Sequence, residues 1–96
     1  MNESQSLTNN FLIEVDFLSN RLKNIKQSYK TTENKSLKER LLSENKNIFK
    51  RVNEIYKIAE LLNKNNTEKI NFSNLLVEIS RRTLNESKFE SNLFFL

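Results

Sequence analysis

The chain contains no cysteine, which excludes a disulfide framework and any thiolate metal site. It contains no histidine. Acid–base chemistry would fall to carboxylates, Lys and Tyr, and the Glu-x-x-His motif of carboxylate-bridged metal pairs in helical bundles cannot be written. Glycine is absent, so a Gly-rich phosphate loop is excluded. Proline is absent as well. Sheets and tight turns lean on Gly and Pro for special backbone angles. Their joint absence points to long helices joined by turns of Asn, Ser and Thr, Asn being the best non-Gly residue for the left-handed conformation that ends many helices. Aspartate occurs only at Asp16. Glu14 is two residues away, about 200° around a helix, so the two carboxylates cannot serve one substrate from one face. No apolar run approaches the ~18 residues needed to cross a membrane. Residues 1–10 lack the basic-then-apolar pattern of a signal segment. The expectation is a cytoplasmic, non-enzymatic protein with no cofactor, no metal, no small-molecule substrate and no membrane partner.

What the 96 residues do contain is heptad spacing. In Phe11, Val15, Leu18, Leu22, Ile25 and Tyr29 the gaps alternate between four and three. The same alternation runs through Leu41, Asn45, Ile48, Val52, Ile55, Ala59 and Leu62. Such spacing lays one apolar stripe along a helix and aims it at a partner helix. Between the seams lies the polar stretch Lys30 to Ser36. The pattern predicts an all-α single domain, a long antiparallel helical hairpin plus a third shorter helix. Residues up to Thr8 read as frayed, with Thr8 or Asn9 capping helix A over about 9–31. Ser36 and Glu39 form a capping box that starts helix B at about 37, running to about 63; Thr31 or Thr32 is the alternative cap. Helix C is placed at about 67–87, with an apolar tail over 88–96.

Two stripes compete in helix C. Ile70, Val77 and Leu84 are seven apart; Phe72, Leu76 and Ile79 follow a four-three step. Leu75, Val77 and Ile79 also alternate as a strand would. Leu12, Ile13, Phe17, Ile58 and Leu61 fall outside the hairpin seam and need cover, which a third helix beside them would give. On helix A the matching places in the second half are Asn20 and Asn24.

Three features are candidates for function. First, Leu42, Phe49 and Tyr56 recur every seven residues beside the helix B seam. A stripe this wide suits a third helix or a second subunit, and homodimerisation through it is expected. The ending Leu93, Phe94, Phe95 and Leu96 would dock on the bundle, a sister subunit or a protein partner. Second, charge is unevenly placed: residues 1–20 carry −3 and residues 21–46 carry +5. Arg21, Lys23, Lys26, Lys30, Lys35, Lys38, Arg40 and Lys46 gather around the hairpin turn as a basic tip. That tip is the alternative functional surface, for nucleic-acid phosphates or an acidic partner. A zipper-type DNA reader needs a continuous basic helix, and this block crosses a turn. Third, Asn45 occupies a seam position opposite Leu22. It reads either as a buried amide that fixes register and helix number or as a partly exposed residue near the rim. Tyr29 and Tyr56 read as packed rings with their hydroxyls at the boundary. Arg81 and Arg82 read as complements to the C-terminal helix dipole.

Overall fold

The computed structural model describes residues 3–65 and 72–94, with side chains placed for residues 6–64 and 74–87. Among the described residues there are three α-helices: α1 (Glu3–Thr31), α2 (Lys35–Asn65) and α3 (Phe72–Phe94). They form a rod of 50 × 21 × 16 Å. The expected all-α architecture is present.

Two cross-helix ion pairs fix the direction of the hairpin. Glu14 pairs with Arg51, and Arg21 pairs with Glu44. One heptad forward on α1 is one heptad backward on α2, so the two helices are antiparallel and in steady register. α3 lies along both and contacts α2 most extensively. Its direction follows from the core. Leu76 clusters with Val15, Ile55 and Ala59. Leu84 clusters with Leu22, Ile25, Leu41, Ile48 and Val52. Advancing along α3 therefore means retreating along α2. The topology is up, down, up, with α1 and α3 parallel.

The seam residues of α1 and α2 supply nearly all the buried apolar side chains. Val15, Leu22, Ile25, Leu41, Ile48, Val52, Ile55 and Ala59 are all buried. Burial of each large one contributes about 1.5–3 kcal/mol. Tyr29 and Leu37 pack partly buried at the turn end, and Lys38 lies over the Tyr29 ring at 5.0 Å.

Helix ends depart from the sequence expectation in instructive ways. α1 begins at Glu3 rather than near Asn9. Thr8 is not a cap but a buried helical residue, 3% exposed. The first turns are polar, but no Gly or Pro interrupts them, and ordinary polar residues cost a helix less than ~0.7 kcal/mol each. The turn between α1 and α2 is three residues, 32–34. Its cap is Asn34, whose Oδ1 accepts from the Leu37 backbone amide at 3.1 Å. The Asn34 carbonyl meanwhile accepts the first helical bond from the Lys38 amide at 3.0 Å. This replaces the Ser36–Glu39 box, and Ser36 lies inside α2. Thr32 Oγ1 accepts from the Asn34 amide at 3.1 Å. No described residue has positive φ, so this turn closes without the left-handed step that glycine or Asn would otherwise provide.

α3 is longer toward its C-terminal side than expected. Residues 88–94, read as a tail, continue the helix, and residues 67–71 lie outside the described ones. Leu75 to Ile79 are helical, which corrects the strand alternative. The inward seam of α3 is Leu76, Ser80, Thr83 and Ser87, in steps of four, three and four, all buried. Hydroxyl residues supply most of it, so each apolar stripe marked only one inner residue, Leu76 from one and Leu84 from the other. Val77 and Ile79 pack partly buried at its edges.

Candidate interaction surfaces

The surfaces follow from how the three helices are clamped. Arg51 Nη2 donates to Glu14 Oε1 at 2.9 Å, and Arg51 Nε donates to Oε2. Arg21 forms the same fork on Glu44, with Nη2 to Oε1 at 2.7 Å. A planar guanidinium matches a carboxylate at two points. The hydrogen bonds from the arginines hold Glu14 and Glu44 below the ordinary carboxylate range, although partial burial opposes this. Arg51 also reaches Glu54 at 3.3 Å and lies over the Phe11 ring. On the α3 side, Ser19 Oγ donates to Glu86 Oε2 at 3.4 Å. Glu14 is thereby committed to structure.

The Leu42, Phe49 and Tyr56 stripe is not a free surface. All three are half-buried. Phe49 and Tyr56 pack against the cluster that contains Leu84 of α3. Tyr56 also lies within electrostatic reach of Arg81 on α3. The width of the α2 stripe thus reflects the third helix, and the leftover face expected for a sister subunit is largely consumed. Leu93 and Phe94 fall in the last turn of α3, outside the residues whose side chains are described. Phe95 and Leu96 lie outside the described residues altogether.

The eight basic residues of the expected tip lie on the turn-side half of the hairpin, interleaved with Glu33, Glu39 and Glu44. Lys23, Lys30, Lys35, Arg40 and Lys46 are exposed around the turn. Arg21 is tied to Glu44, Lys38 sits half-buried over Tyr29, and Lys26 is half-buried. The first turn of α2 carries no acidic residue, so its amide ends add positive potential to the lysines there. Arg81 and Arg82 are not at a helix end, because α3 continues to Phe94. Arg81 donates to Glu78 one turn back, which raises its already high pKa.

Asn45 is 2% exposed, which removes the rim reading. Its Oδ1 has no hydrogen-bond partner among the described residues, and neither does Ser80 Oγ. Thr83 Oγ1 donates to the Ile79 carbonyl at 2.9 Å. The register of α2 and α3 sets Asn45 at about the level of Ser87. Asn45 and Ser87 therefore form a polar layer between α2 and α3, in a core that also buries Thr8, Ser80 and Thr83.

The exposed surface missing from the expectation is on α1. Ile13 and Phe17 are 71% and 67% exposed, and Leu61 on α2 is 61% exposed. α3 was expected to cover all three. It covers the other flank instead, where Leu12 packs partly buried. With 3.6 residues per turn, Ile13 and Phe17 lie on the side of α1 opposite Val15 and Leu22. The signal was present in the four-residue step from Ile13 to Phe17, which leads on to Asn20 and Asn24.

Among the described residues no helix is long and apolar enough to cross a membrane, and no group of acidic residues is arranged to hold a metal ion. Comparison of the chain with protein-family models, curated proteins and solved structures finds no match.

Proposed function

We propose that this chain is a non-enzymatic, cytoplasmic protein–protein interaction module that acts by self-association. The observation that carries the reading is the pair Ile13 and Phe17, two large apolar side chains one turn apart, directed away from the core. Hiding such a side chain from water yields about 1.5–3 kcal/mol, and the chain's own helices do not hide these. The absence of His and Cys from the sequence, with Glu14 already engaged by Arg51, supports a role without catalysis. Sedimentation velocity over a wide concentration range tests the proposal. Mass should rise toward two copies, and the double variant Ile13→Asp/Phe17→Asp should remain a single folded copy. A wild-type chain that stays monomeric at the highest concentration overturns it.

The exposed lysines at the hairpin tip support a second reading, loose association with nucleic-acid phosphates. Binding of that kind weakens steeply with salt because counterions are released. Titration with single- and double-stranded oligonucleotides across a salt series decides it: no salt-dependent affinity removes this reading and leaves the first untouched.

A further inference from the structure

Ile13 and Phe17 belong to a second seam. On the outer side of α1, Asn10, Ile13, Phe17, Asn20, Asn24 and Gln27 are spaced three, four, three, four and three. Every one is exposed and none is charged. The outermost ridge of a surface helix is ordinarily its charged face, and this chain is 29% charged. An uncharged heptad ridge with apolar residues at its centre and Asn on both sides has the composition of a weak coiled-coil seam. Asn at such positions specifies register and helix number at a cost in stability.

We infer that this ridge pairs with the same ridge of a second copy, with the two α1 helices parallel and in register. The inference rests on the self-association reading and adds its surface, direction and alignment. Three alignments can be compared. In an antiparallel pair that stacks Ile13 on Phe17 of the other copy, Asp16 meets Asp16 and Glu14 meets Glu14, so like charges face each other twice. In an antiparallel pair shifted by one heptad, Asp16 meets Lys23 and Glu14 meets Arg21, but Ile13 and Phe17 then press on Asn24 and Asn20. Only the parallel alignment satisfies both kinds of residue. Ile13 and Phe17 meet their own copies, and the Asn residues meet amide to amide. Asp16, just before Phe17, faces Arg21 five residues on in the other chain, twice by symmetry. Asp16 is exposed. The fork on Glu44 uses two of the five N–H donors of Arg21, leaving others for a second acceptor.

Single-cysteine variants test the alignment cleanly, because the chain has no cysteine of its own. Asn10→Cys and Asn24→Cys both lie on the exposed ridge and leave the core intact. Under mild oxidation of the full chain each should form a covalent dimer with itself, since parallel pairing sets each position beside its own copy at both ends of the ridge. Asp16→Lys should weaken association by roughly tenfold, through loss of two attractive pairs and gain of repulsion. Lys23→Glu should leave it unchanged. A dimer that joins neither Asn10→Cys nor Asn24→Cys overturns this interface while self-association stands. A dimer that Lys23→Glu weakens, or that crosslinks only in a mixture of Ile13→Cys with Phe17→Cys, overturns the parallel direction. A strict monomer overturns both this inference and the reading beneath it.

Discussion

Glu14 of α1 and Arg51 of α2 are joined at two points, with Nη2 of the arginine 2.9 Å from Oε1 of the glutamate. Arg21 and Glu44 repeat the arrangement one heptad away. In both pairs the arginine holds the carboxylate below its ordinary range. A carboxylate whose folded pKa is depressed contributes stability above its unfolded pKa, and that contribution disappears as pH falls through the folded value. Urea midpoints should therefore be flat near neutrality and fall below about pH 4.3, the ordinary glutamate value. Both pairs are partly solvent-exposed, so each contributes only on the order of 0.5 kcal/mol. Glu14→Gln should reduce the acid-side slope. An unchanged slope would mean the pair does not form in solution.

Asn45 leaves Oδ1 without a partner inside the core. Exchanging it for an apolar residue of similar reach removes that desolvation cost, so Asn45→Leu should gain about 1 kcal/mol in urea denaturation. The gain should come with loss of uniqueness, seen as broadened amide resonances, if the polar layer holds α3 in one register. A stable variant with sharp resonances would deny the amide that role.

Ile55 and Ile13 are the same residue type in opposite surroundings, one buried and one 71% exposed. Ile55→Ala should cost about 2–5 kcal/mol through lost burial and the cavity left behind. Ile13→Ala should stay within about 0.5 kcal/mol in dilute solution. Comparable costs at the two sites would mean that α1 is rotated from the orientation described.

Asn34 and Ser36 compete for the start of α2. Asn34→Ala should cost about 1 kcal/mol, the usual loss of a capping side chain. Ser36→Ala should cost nothing or stabilise slightly, because Ser36 is an exposed helical position. The reverse order would restore the capping box.

The hairpin was legible because its seams are apolar and strictly spaced, from Phe11 to Tyr29 and from Leu41 to Leu62. The third helix was legible as an element but not by face. Its inner side joins Leu76 and Leu84 to Ser80, Thr83 and Ser87, and the last three are residues that a search for apolar periodicity passes over. The start of α1 was hidden for a related reason: its first turns are polar, yet Thr8 is buried. The role of the α2 stripe turned on which flank α3 takes. Leu42, Phe49 and Tyr56 offered one flank, and Ile13, Phe17 and Leu61 competed as an alternative. The sequence contains both claims; in the structure Phe49 and Tyr56 pack against the cluster that includes Leu84, while Ile13, Phe17 and Leu61 stay exposed. Asn45 kept its seam position, and its burial resolved an ambiguity that spacing alone left open.

Because α1 and α3 run the same way, Glu3 and Phe94 mark opposite poles of the rod rather than neighbouring points. Tension applied at those two poles would act along the helix axes and make whole interfaces slide past one another at once. A chain with an even number of passes would bring both attachment points to one pole and peel open contact by contact. The up, down, up topology thus sets all three helix interfaces to resist such a pull together.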